Sequence, residues 1–308
     1  MSTYKAISIE ELNITKNQPI LDIAASIWEA EKYNAFKTCY RAMRSLDDLV
    51  DDRKSILIRI NDRERNYYST VIANWKKAII DKDPIDFNQK ELLETIAKYH
   101  IPFWPWIEFS NSMIHDINFT GFQSLKEFIK YSEGAAISPG SIFMHLCGIK
   151  DSNGYLIPPM FDVKKAARPL ALFSYFVHVI RDFQKDQISN LNYIPDKLIY
   201  EHGLSHNTLK KIATGGKVVP EFRELMKSYY KIIEYYRHKA RNMLDTIKCF
   251  LESRYMISLE IIYNLYLQIF EKIDTQDGRF TSEELNPTFE EVQSRLNLIL
   301  SEYQSVEY

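Results

Sequence analysis

The segment Phe161–Gln187 has the spacing of one long helix, and its middle, Pro169–Ile180, is apolar on nearly every face. A helix that is apolar all round cannot lie on a surface, so other elements must surround it. The rest of the chain supplies helices. Apolar residues recur at helical spacing over Leu21–Glu31, Tyr33–Asp52, Ser55–Ile80, Gln89–Tyr99, and from the aromatic turn Phe103–Trp106 to Asp116. Phe122–Gly148 reads as a long helix broken at Gly134 and at Ser138-Pro139-Gly140, where proline removes a backbone donor. Tyr193–Leu204, His206–Ile212, Pro220–Leu251, Met256–Ile273 and Pro287–Tyr303 complete the pattern, and Lys150–Pro159 reads as a loop. Nine glycines in 308 residues leave few tight turns, which favours helices over strands. With no internal repeat and no long linker, the expectation is an all-α chain forming one domain over residues 1–308.

Composition narrows the function. A net charge of −2 without a basic block argues against nucleic acid as a partner. Cys39, Cys147 and Cys249 lie far apart without metal-binding spacing, and read as reduced core residues of a cytoplasmic protein. Met1–Glu10 has no apolar signal region, and no window of about 18 apolar residues offers a membrane span. Twenty tyrosines and 17 phenylalanines imply a large core or an aromatic-lined cavity. Phe36, Phe173, Phe176 and the run Tyr229–Tyr236 could line such a cavity, but the core is the favoured assignment, because aromatic residues at helical spacing need no ligand.

Two carboxylate clusters stand out. Asp47 and Asp51 are four residues apart and project from one helix face; Asp48 and Asp52 form a neighbouring pair. Like charges at this spacing cost about 0.2–0.5 kcal/mol per pair, and the macrodipole opposes them at a helix C-terminus. The second cluster, Asp182 and Asp186 with Arg181 beside them, ends the apolar central segment. Each alone fits a solvated helix end. Together they could hold a diphosphate through magnesium, which binds one or two carboxylates plus substrate phosphate oxygens.

Four blocks resemble the squalene/phytoene synthase family. Tyr40-Arg41-Ala42-Met43-Arg44-Ser45-Leu46-Asp47-Asp48-Leu49-Val50-Asp51 is similar to its first aspartate motif, and Arg181-Asp182-Phe183-Gln184-Lys185-Asp186 to its second. Tyr131-Ser132-Glu133-Gly134-Ala135-Ala136 resembles the segment between them, and Tyr193-Ile194-Pro195 with His202-Gly203-Leu204-Ser205 the segment that follows. The resemblance covers roughly residues 15 to 275. It implies a single-domain isoprenoid synthase bundle around a deep central cavity. It also implies head-to-head joining of two farnesyl or geranylgeranyl diphosphates through a cyclopropylcarbinyl diphosphate, giving a squalene- or phytoene-like hydrocarbon.

The resemblance also implies site roles. Asp47, Asp51, Asp182 and Asp186, with Asp48 beside them, would hold several magnesium ions. Arg44 and Arg181 would contact phosphate or orient an aspartate. Tyr40 and Tyr131 would face the cavity, with Tyr131 able to move a proton. NADPH is possible for a squalene-type product, although no glycine-rich fingerprint indicates it. Lipid substrates imply peripheral contact with the inner face of a membrane. Oligomeric state is open.

The chain departs from the family in places. Tyr175 and His178 stand where the family has glutamine and asparagine, and histidine suits softer metals than magnesium; both are substrate-binding candidates, and His178, one turn before Asp182, faces the same mouth as a proton carrier, a diphosphate donor or a packed side chain. Leu191 and Asn192 replace an arginine before Tyr193, and the basic C-terminal region shrinks to Gly278-Arg279-Phe280 followed by Glu283-Glu284. Two other readings stand beside condensation. One is a terpene synthase or phosphatase acting on a single prenyl diphosphate; the other is a non-catalytic helical assembly subunit.

Overall fold

The computed structural model describes residues 14–16, 18–56 and 61–305. It is helical, as expected. In order come α1 (Ile20–Ala25), α2 (Ala30–Ile56), α3 (Asp62–Asp81), α4 (Phe87–Lys98), α5 (Trp104–Ile117) and α6 (Leu125–Ser132). A π turn, Glu133–Ile137, joins α6 to α7 (Ser138–Gly148). After strands β1 (Lys150–Ser152) and β2 (Tyr155–Ile157) follow α8 (Val163–Arg181), α9 (Phe183–Ile188), α10 (Asp196–Glu201), α11 (His206–Ala213) and α12 (Pro220–Ile247). The chain closes with α13 (Ser253–Glu271), α14 (Ser282–Leu285) and α15 (Phe289–Ser305).

The apolar helix α8 is central: α6, the π turn, α7, α12 and α13 all pack on it. Phe173 and Phe176 are fully buried there. Phe36 and Tyr229 are also core residues, but the rest of the run assigned with Tyr229 is not: Tyr230 and Tyr236 are half-buried and Tyr235 is exposed, because successive helix positions face different sides. Among the described residues, no helix is long and apolar enough to cross a membrane.

Several boundaries differ from the sequence reading. α3 starts at Asp62, not Ser55, because Asn61 and Glu64 form a reciprocal capping box there. The predicted loop Lys150–Pro159 holds an antiparallel hairpin turning on Asn153 (φ 53°) and Gly154 (φ 85°). Such backbone angles suit an Asn-Gly turn. The expected single helix Phe161–Gln187 is divided at Asp182 (φ −92°, ψ 4°) into α8 and α9. Cys39 and Cys147 are buried, but Cys249 is exposed rather than in the core. The side chain of Asp52 lies outside the described residues.

The expected break at Gly134 and Ser138-Pro139-Gly140 takes the form of the π turn. A widened turn relaxes the i→i−4 ladder, so Pro139 sits in the first turn of α7 at little cost. Glu133 on this turn pairs with Lys164 at 3.2 Å and with Arg168, both from the start of α8. Gly134 lets α5 approach: an added Cβ would lie 2.2 Å from the Glu108 carbonyl oxygen. Ala135 and Ala136 of the same turn line the cavity described next.

Candidate active site

A cavity of about 690 Å³ opens among α2, α5, the π turn, α7, α8 and α13. It follows α8 from Ala167 to Asp182, a depth of roughly 22 Å at 1.5 Å per residue. Its inner wall is apolar, with Phe143, Met144, Leu170, Leu259 and Ile262. Its charged end takes Arg44, Asp47, Asp48 and Asp51 from the last turns of α2, and His178, Arg181, Asp182, Lys185 and Asp186 from the α8–α9 junction. The two sequence clusters therefore share one opening. Of the other candidates, Tyr131 and Tyr175 line the cavity, whereas Tyr40 is not among its lining residues. Tyr40 stacks on Phe36 at 5.5 Å, one turn before Arg44. The segment Gly278-Arg279-Phe280 also lies off the cavity; Phe280 is buried against Phe222.

The α2 side is short of positive charge. Arg44 Nη1 donates to Asp47 Oδ2 at 2.7 Å, and its Nη2 donates to Asp48. Burial, and then the neighbouring Asp51 charge, still push the Asp47 carboxyl up to about 6 against the pull of Arg44. On the opposite side, burial and the Asp182 charge push Asp186 up to about 7, and Asp51 adds to this from across the opening.

Asp182 behaves differently. Burial works against its ionised form, yet hydrogen bonds from His178 and Arg181 hold its carboxyl well below the usual range. Arg181 Nε lies 2.7 Å from Oδ1 and Nη2 lies 3.1 Å from Oδ2. His178 Nε2 lies 2.8 Å from the same Oδ2. Burial and the Arg181 charge in turn lower the His178 pKa.

Beneath the charged end sits a buried polar group that the sequence reading missed. The Tyr131 hydroxyl donates to Asp116 Oδ2 at 2.7 Å, with Asp116 only 4% exposed. Burial raises the pKa of Tyr131, Tyr175 and Tyr193 well above that of a free tyrosine. Asp116 carried a usable signal: it falls on the same α5 face as the buried Phe109 and Met113. A carboxylate on a core stripe is seldom buried without a task. Lys185 and Tyr193 also line the cavity and had not been singled out as site residues.

Six carboxylates (Asp47, Asp48, Asp51, Asp116, Asp182, Asp186) thus face three fixed cations (Arg44, Arg181, Lys185) in one cavity. This imbalance suits added cations. Among the described residues, no three His, Cys, Asp or Glu side chains are gathered closely enough to hold a metal ion by themselves. That is compatible with magnesium, whose remaining ligands come from phosphate and water. A polar opening for a polyanion above an apolar interior fits an amphiphile with a charged head and a hydrocarbon tail.

Known proteins match this architecture. The chain is similar to phytoene synthase 1, chloroplastic, of Zea mays, with 23% identity over 251 residues, 80% of this chain and 56% of the relative. The corresponding Arabidopsis thaliana protein is 21% identical over 250 residues, covering 80% and 54%. The chain spans about half the length of these curated relatives. A dehydrosqualene synthase structure superposes with a TM-score of 0.68 at 14% identity, covering 94% of this chain and 93% of that one. A squalene synthase from Alicyclobacillus acidocaldarius gives 0.57 at 13%, covering 78% and 93%. These structures share the all-α isoprenoid synthase fold with the present chain. The family model for squalene/phytoene synthase matches residues 23–294, and the chain belongs to that family.

Proposed function

We propose that the chain joins two prenyl diphosphates, of farnesyl or geranylgeranyl length, head to head. The observation that carries this reading is the single cavity, about four turns long along α8, with carboxylates on both sides of its opening and an apolar interior beneath them. A hydrocarbon tail gains about 0.8 kcal/mol for each CH₂ it buries there. Its diphosphate is left among Arg44, Arg181 and Lys185. Magnesium held by Asp47, Asp51, Asp182 and Asp186, with Asp48 beside them, would offset the charge of the departing diphosphate.

The first C–O bond breaks with its electron pair leaving on pyrophosphate. The double bond of the second substrate attacks the resulting allylic cation, and loss of a proton closes the cyclopropane ring. Tyr131 would take that proton. Its hydroxyl hydrogen is committed to Asp116, so its oxygen lone pairs can accept a proton while its own passes to the carboxylate. Tyr131, Tyr175 and Tyr193 line the same cavity, and an aromatic face turned to a desolvated cation stabilises it by about 2 kcal/mol. The cyclopropylcarbinyl diphosphate then ionises in turn and rearranges.

The test is pyrophosphate release from farnesyl and geranylgeranyl diphosphate. Asp51→Asn and Asp186→Asn should each slow release by about 10²-fold or more, since each is asked to supply several kcal/mol of charge stabilisation. Wild-type rates in either variant, or full activity in a chelator, would contradict the proposal.

A further inference from the structure

We propose that the hairpin β1–β2 and the residues that follow it form a docking surface for a lipid bilayer with anionic headgroups, at the end of the bundle away from the charged opening.

When one face of an antiparallel hairpin packs on a core, the other meets water and is ordinarily polar. Here it is not. Leu156 packs on the core, which turns Tyr155 and Ile157 outward. Tyr155 is 79% exposed and Ile157 45%. The exposed Pro158 and the 69% exposed Met160 continue the run. Single apolar residues are ordinary on a surface, but four within six residues mark an interaction site. The backbone that presents them is well held. Lys32 Nζ donates to the Ile149 carbonyl at the base of β1 at 2.9 Å, and Phe161 packs on Phe250 at 6.2 Å. Gly148 lies so close to Pro159 that an added Cβ would be 2.8 Å from it. Docking on a held backbone loses little chain entropy.

The border of this surface is cationic. Lys150 stands directly opposite Ile157 in the hairpin register, on the same face. Lys165 is in the first turn of α8, and Lys248 is on the turn that carries Phe250. None of the three makes an ion pair among the described residues. The carboxylates beside them in sequence, Asp151 and Asp162, accept from the backbone amides of Gly154 and Lys165 at 2.8 and 3.0 Å. Lys165 also sits where the helix macrodipole disfavours a cation, a cost that an anionic headgroup would offset. A tyrosine ring, aliphatic side chains and lysines together suit the bilayer interface, with the ring at headgroup level and the ammonium groups on lipid phosphate. A stable protein interface takes about 20 residues a side, which two strands of three residues do not supply. The 19 residues of α8 lead from the hairpin toward the charged opening, about 28 Å away. On the reading of the cavity given above, a bilayer at the hairpin meets the apolar end and leaves the diphosphate end in water.

Vesicle flotation of the 308-residue chain tests this. The probes are vesicles of phosphatidylcholine and of phosphatidylcholine mixed with phosphatidylglycerol. Wild type should float with the mixed vesicles and lose about tenfold or more in affinity on phosphatidylcholine alone or in high salt. The triple variant Tyr155→Ser, Ile157→Ser, Met160→Ser should lose about tenfold or more on mixed vesicles. A second triple variant, Lys150→Gln, Lys165→Gln, Lys248→Gln, should no longer prefer them. Circular dichroism melts confirm that each variant is folded, and pyrophosphate release without vesicles should stay within about twofold, because none of these side chains lines the cavity. Tyr155→Trp reads insertion directly: mixed vesicles should shift its emission to shorter wavelength, and brominated acyl chains should quench it. Tyr200→Trp, at a 58% exposed position on α10 past the charged opening, should show neither change. Absence of wild-type flotation with mixed vesicles, unchanged flotation of the serine variant, or quenching at Tyr200→Trp in place of Tyr155→Trp would overturn the proposal. So would a wild-type dimer that the serine variant converts to monomer, because a second copy would then cover this face. A chain that floats through the hairpin but releases no pyrophosphate from any prenyl diphosphate would refute the cavity reading and leave the docking surface standing.

Discussion

Gly134→Ala couples the fold to the chemistry. The new methyl carbon would lie 2.2 Å from the Glu108 carbonyl oxygen and 2.7 Å from the Ser112 side chain. An unstrained C···O contact is about 3.3 Å or longer, so α5 and the π turn must separate by roughly 1 Å. Overpacking of this kind costs about 1–3 kcal/mol, and the better helix propensity of alanine returns less than about 1 kcal/mol. Near 2 °C per kcal/mol for a chain of this size, Tm should fall by about 2–6 °C. The activity loss should be larger than the stability loss suggests. Asp116 is on α5 and Tyr131 lies just before the π turn, joined by a 2.7 Å hydrogen bond. A shift of 1 Å takes that bond beyond its working range and can cost about 10²-fold in rate. Calorimetry and pyrophosphate release on one preparation give both numbers. Gly140→Ala, whose added carbon would meet only the Ala171 methyl at 3.3 Å, is the milder comparison. A Gly134→Ala protein with unchanged Tm and rate would refute the packing argument.

Other outcomes follow from the same site. Asp47 at about 6 and Asp186 at about 7 both lie above their unfolded values. The folded chain therefore binds more protons between about pH 4 and 7, and metal-free stability falls as pH rises through that window. Magnesium should then raise Tm more at pH 8 than at pH 5, where both carboxyls hold protons; an equal or larger gain at pH 5 would count against this. Tyr131→Phe keeps the ring and removes the bond to Asp116. It should lower kcat by about 10²-fold with KM within threefold, and normal turnover would leave the hydroxyl no catalytic part. Of the three thiols only Cys249 is exposed, and burial pushes the Cys39 and Cys147 thiols far up. One fast-reacting thiol per native chain is expected in a thiol titration, and two or three would contradict the described core.

What was legible in the sequence was whatever repeats at a fixed spacing. The apolar face pattern gave the central helix, and the spacing of Asp47 with Asp51 and of Asp182 with Asp186 put each pair on one helix face; that both pairs share one opening was implied by the family resemblance, not by spacing. What spacing could not show was tertiary. Asp116 is a single carboxylate whose importance depends on Tyr131 arriving from another helix. The contacts of Asp182 with His178 and Arg181 depend on where α8 stops, and an i,i+4 pattern reads through that junction as one helix. The hairpin was missed although Asn153-Gly154 is a turn dipeptide, because strands of three residues carry too little alternation to register. The α3 start was available in the Asn61-x-x-Glu64 signature and was overridden by apolar periodicity further upstream.

The most direct test of the central claim is the carbon number of the product. Purified protein with magnesium is given farnesyl or geranylgeranyl diphosphate, with and without NADPH, and the organic extract is read by mass spectrometry. Head-to-head condensation predicts a product with twice the carbons of the substrate supplied, as a hydrocarbon or its cyclopropylcarbinyl precursor, and two pyrophosphates per hydrocarbon formed. A product with the carbon number of a single substrate, released with one pyrophosphate, would contradict condensation and assign the cavity to a lyase or phosphatase instead.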